Sequence, residues 1–137
     1  MEGMIMILPF LALFFLLIDT CYAIFVKATL QYAVQQGVYD AVTFSGSGLI
    51  PDVQNTVWIQ SLNLIPAGNV QVNFYAPASL TQTLPQTAGV NQPGNIVEVD
   101  VTYYFAPLAP LFRSGATIPF SASSASILAV YPPPSLF

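Results

Sequence analysis

Glu98 and Asp100 stand two residues apart in the segment IVEVDVTYYF, so on a strand their carboxylates share one face. Paired-carboxylate hydrolysis or a hard-cation site would use that spacing. Two acids are too few ligands for a cation, and Asp40 and Asp52 fall in helical or turn contexts. A solvated strand face is therefore the expectation for this pair. The chain has no His and a single cysteine, Cys21, which excludes imidazole or multi-thiolate zinc sites and intrachain disulfides. Cys21 is expected to behave as a small hydrophobe, with an intermolecular disulfide as the alternative. Without His the serines lack a conventional base, and Gly46-Ser47-Gly48 lacks the length and the Lys of a phosphate loop. No enzyme, no cofactor and no metal site is expected.

The remaining charges of interest belong to one element. Glu2, Asp19 and Lys27 border or interrupt GMIMILPFLALFFLLIDTCYAIFV, the run from Gly3 to Val26. Sixteen residues, Gly3 to Ile18, carry no charged or strongly polar side chain. A run of about 20 apolar residues matches a bilayer core roughly 30 Å thick, and in lipid it must be helical to satisfy its backbone. Pro9 removes one helical hydrogen bond and crowds the carbonyl near Ile5, so a kink or a melted turn is expected there. Glu2, in the first turn, is expected to pair with an α-amino group, its own or a neighbour's, with a carboxylate snorkelling among lipid headgroups as the alternative. Asp19 and Lys27 are eight residues apart, about 12 Å along one helix, too far to pair within it. Either each meets its opposite number on a staggered copy, or the two mark the membrane boundary.

The helical period continues past the apolar run. Leu30, Ala33, Val34, Val38, Ala41 and Val42 recur at three- and four-residue spacing. Residues 1–44 are thus expected to form one helix about 60 Å long, a membrane or filament-core half followed by an amphipathic stalk. Residues 45–137 are expected to form one small β-rich domain. A signal peptide cut after Ala23 is the rival reading, weakened by the missing basic n-region and by the pattern running through the cut.

Beyond Ser45-Gly46-Ser47-Gly48, a short helix is expected from Pro51, capped by Asp52, with Val53, Val57, Leu62 and Leu64 near one face. The period then changes to two. Val70, Val72 and Phe74 mark a half-buried strand ending at Pro77, and Ala78 to Asn95 is expected to be a long loop. Ile96 to Phe105 is the clearest strand, with Val97, Val99, Val101, Tyr103 and Phe105 on one face. Ile118 to Tyr131 suits a last strand. The expected class is α+β: a long N-terminal hydrophobic helix carrying a small antiparallel sheet and one short helix.

Charged residues make up 6% of the chain, net charge is −4 and mean hydropathy is +0.67. Lys27 and Arg113 are its two basic residues, which argues against nucleic acid and against a polybasic membrane-surface module.

Glu2, the apolar run with Pro9, then Asp19, Phe25-Val26-Lys27 and Leu30-Gln31-Tyr32-Ala33 resemble the TadE-like pilin family, and Val34 to Tyr39 stands where the family has a charged stretch. Val97 to Phe105 followed by Pro107-Leu108-Ala109-Pro110-Leu111 resembles its strand and Pro-Leu corner. The resemblance implies a structural pilin cut by a prepilin peptidase and assembled by a tight-adherence-type machine. Such a subunit is held in the inner membrane of a bacterium, then polymerises with copies of itself into a surface filament. The mature N-terminus is then expected at or near Met1, against Ile24 for signal-peptidase cleavage. The alternative is a bitopic membrane protein with an extracytoplasmic binding domain that never polymerises. Polymerisation through the helix predicts that a charge at Leu13 or Phe14 abolishes fibres. It also predicts that a fragment beginning near Gly46 is soluble and monomeric.

Overall fold

The computed structural model describes residues 2–43, 48–86, 92–107 and 117–129, with the side chains of residues 2–6 outside the description. Its elements are α1 (Glu2–Thr43), α2 (Leu49–Gln60), a 3-10 turn (Ala67–Asn69), β1 (Val70–Ala76), β2 (Ser79–Thr83), β3 (Ile96–Phe105) and β4 (Ile118–Ile127). The class is α+β, as the periodicities require. The strands form an antiparallel sheet in the order β2-β1-β3-β4, with α1 and α2 packed on one face.

The core is built by matching the two periods. Val70, Val72 and Phe74 of β1 and Val97, Val99 and Val101 of β3 point to the helices and are buried. Val26, Leu30, Ala33, Val34, Val38 and Ala41 of α1 meet them, with Val53 and Val57 of α2 closing the side. Each such side chain contributes about 1.5–3 kcal/mol when fully buried. The amphipathic half of α1 is therefore one wall of the core rather than a solvated stalk. This corrects the expectation for a fragment beginning near Gly46: without α1 it would expose the apolar face of β1 and β3.

Gly37 sets how closely the two helices approach. A Cβ there would lie 2.5 Å from Val57 Cγ2 and 3.4 Å from Val53 Cγ1. The Thr56 hydroxyl donates to the Asp40 carboxylate across the same contact, and Gln54 Nε2 donates to the Val70 carbonyl at 3.1 Å, tying α2 to the start of β1.

Three local expectations are corrected. The N-cap of α2 is Gly48 at φ +103°, a left-handed conformation that glycine reaches without strain, and Asp52 lies in the first turn with no capping bond. The helix ends at Gln60, and Leu62 and Asn63 take positive φ, so Leu62 is exposed and Ile65 takes the buried place. Part of the expected long loop is strand. Ser79–Thr83 folds back on β1, pairing Tyr75 with Thr83 and Ala76 with Ser79 around a bulge. The Leu84 N–H then donates to the Phe74 carbonyl at 2.7 Å and Gln86 Nε2 to the Val72 carbonyl at 2.8 Å, so the polar segment satisfies the free edge of β1. Tyr131 and most of the Pro-Leu corner lie outside the described residues.

Candidate assembly surface

The residues proposed from sequence for assembly fall on α1, which continues through Pro9 without interruption. From Ile7 to Phe15 the helix stands clear of the sheet with its large side chains exposed on every side, Leu8 at 73%, Leu13 at 64% and Phe14 at 51%. Among the described residues this is the one helix long and apolar enough to cross a membrane. The Thr20 hydroxyl donates to the Leu16 carbonyl at 2.8 Å and the Thr29 hydroxyl to that of Phe25 at 2.9 Å, so both are satisfied within the helix. The side chain of Glu2, and with it the expected amine pairing, lies outside the described residues.

Asp19 marks where the sheet begins to cover the helix. It is 5% exposed, at a hollow of about 210 Å³ bordered by Leu16, Thr20 and Ala23 of α1 and by Phe105, Pro107, Ile118 and Phe120 of the sheet end. No buried side-chain polar atom among the described residues lacks a partner. Asp19 is thus largely covered by its own chain. Lys27 is exposed on α1. The junction is aromatic: Tyr22 packs on Phe105 with ring centroids 5.7 Å apart, and Phe105 on Phe120 at 5.6 Å. Burial, followed by the neighbouring Tyr22, raises the pKa of the Tyr103 phenol.

A second feature of α1 was not singled out from sequence. Phe25, Tyr32 and Tyr39, spaced by seven, are 51%, 52% and 65% exposed on the side away from the core. Phe14, Cys21 and Ala28 interleave at the same interval, Ile18 stands seven before Phe25, and all are exposed. The stripe therefore runs from the bare half of the helix along the back of the folded domain. Seven-residue spacing of apolar positions is the pattern by which one helix packs along another. It was legible in the sequence, but the apolar positions on the opposite side had already been assigned to the core.

The carboxylates at Glu98 and Asp100 do share the outer face of β3. The Tyr75 hydroxyl donates to Glu98 Oε2 at 2.7 Å, and this bond, with burial and the acids beside it, raises the Tyr75 pKa. Burial, with Glu98 adding to it, raises the pKa of Asp100. Among the described residues no three His, Cys, Asp or Glu side chains gather as a metal site would require.

The family model for TadE-like proteins matches residues 4–38, the segment that includes the bare helix and most of the stripe. No curated protein and no solved structure matches the chain. The N-terminal helix thus carries the TadE-like pattern that its residues suggested, and the match ends at Val38 within α1. The TadE-like match over the first helix and that helix's apolar length together fit a membrane-anchored, pilus-associated protein.

Proposed function

We propose that this chain, TadE-like over its first helix, is a structural subunit of a type IV-related pilus. It is anchored in the bacterial inner membrane by α1, then polymerises through that helix into a surface filament. On this reading a prepilin peptidase and a tight-adherence-type machine process and assemble it, and it performs no catalysis.

The carrying observation is the length of the exposed stripe. Phe14 and Tyr39, both exposed, are 25 residues apart, about 38 Å along a helix at 1.5 Å per residue. A hydrocarbon core about 30 Å thick cannot cover both. Lipid serves the bare half before assembly, but Phe25, Tyr32 and Tyr39 lie beside the folded domain. Another α1 offers a matching uncharged surface. Copies in a regular stagger make a heterologous contact that does not close, the geometry of a filament.

Photo-crosslinking tests this reading. A benzophenone amino acid at Tyr32 or Tyr39 should capture a second copy, or a like subunit, in cells that make filaments. Crosslinks confined to lipid or to the chain's own domain would refute it.

A further inference from the structure

The sheet face turned away from the helices carries an open groove of about 530 Å³, lined by Asn69, Gln71, Asp100, Thr102, Tyr104 and Ser121. Its floor follows from the register: Gln71 is opposite Asp100, and Thr102 is opposite Ser121. Nothing in the assembly reading uses this face, which lies across the core from the stripe on α1. We propose that the groove is a binding site for a neutral oligosaccharide.

The lining decides the ligand class. Small-molecule sites fall in the range of roughly 300–1,000 Å³, and this groove lies within it. Asn69 and Gln71 each present an amide donor and acceptor, Thr102 and Ser121 each a hydroxyl that can do both, and Asp100 a carboxylate. Sugar hydroxyls are likewise donors and acceptors at once, so each finds a partner of either sense. Tyr104 is 64% exposed and gives the groove an aromatic surface with a polar tip, suited to the C–H face of a pyranose ring. A lipid would find a lining that is mostly polar. An anion would find no Lys or Arg in the lining, with Asp100 in the groove and Glu98 two residues away on the same face. Gly68 completes one wall, and a side chain added there meets nothing within 4 Å, so a ligand can approach the backbone closely.

The test is an array of printed neutral oligosaccharides and of sialylated and sulfated ones. It is probed with the full chain in an amine-oxide detergent, since a maltoside would compete. Binding to neutral glycans and not to the acidic ones is expected. Tyr104→Ala should weaken it about tenfold, the loss expected of a central aromatic contact. Gly68→Phe should abolish it by filling the groove, with circular dichroism confirming that both variants fold. No neutral glycan bound, or binding that survives Gly68→Phe, overturns the proposal. Neither result bears on assembly through α1.

Discussion

Replacing Gly37 by Ala sets two effects of known sign against each other. In a helix interior the change favours folding by about 1 kcal/mol, because alanine loses less backbone entropy. Here the added methyl would sit 2.5 Å from Val57 Cγ2, more than 1 Å inside an ordinary carbon–carbon contact of about 3.5–4.0 Å. Val57 is fully buried and β-branched, so it cannot turn aside without meeting its other neighbours. Val53 at 3.4 Å and Val99 at 3.8 Å close the remaining directions. The helices must separate, and overpacking of this kind costs typically 1–3 kcal/mol. A contact this short belongs at the upper end of that range, about 2–3 kcal/mol, so the expected balance is a net loss of about 1–2 kcal/mol, or several degrees in Tm for a domain of this size. Thermal unfolding of the full chain in detergent, followed by near-ultraviolet circular dichroism of Trp58, measures it. A Gly37→Ala protein as stable as the parent would refute the claim that α1 and α2 approach through this residue.

Three further outcomes are expected. A chain beginning at Leu17 should fold, whereas one beginning at Gly46 should not, because it lacks Val26, Leu30, Val34 and Val38 at about 1.5–3 kcal/mol each; dispersion in the amide proton spectrum decides between them. Asp100→Asn should be neutral or stabilising at pH 7. The folded state raises the pKa of Asp100, so ionisation costs stability above that pKa and nothing below the unfolded value near 3.9. The difference in Tm between parent and variant should vanish at about pH 3, and a variant less stable only at pH 7 would contradict the sign. Glu2→Gln should leave membrane insertion intact while lowering filament yield, read from membrane fractions and sheared filaments; unchanged yield would remove Glu2 from assembly.

What could be read from the sequence was whatever a strong period decides. Ile96–Phe105 alternates cleanly and is β3, and the inward positions of α1 from Leu30 to Ala41 are the core positions observed. β2 escaped because SLTQT is short, polar and largely exposed; its pairing depends on the turn after β1 and on the bulge at Tyr75 and Ala76, not on hydrophobicity. The burial of Asp19 escaped because the residues covering it, Phe105, Pro107, Ile118 and Phe120, are more than eighty positions away in the chain. The stripe of Phe25, Tyr32 and Tyr39 escaped for another reason. With apolar residues on both sides of α1, no single apolar face stands out.

The central claim is that α1 carries the polymer, and Phe14→Asp tests it most directly. The residue is exposed on the bare half of the helix and touches nothing in the sheet domain's core, so the domain keeps its packing. A buried carboxylate costs about 2.5–3.5 kcal/mol at a membrane-helix centre, an amount this apolar run can absorb while still inserting. In a dry contact between copies it would face identical apolar helices with no cation beside it. Immunogold electron microscopy of filaments sheared from cells should find the parent chain along them and the Phe14→Asp chain only in the membrane fraction. Filaments labelled equally well with the variant would show that the helix does not hold the polymer together.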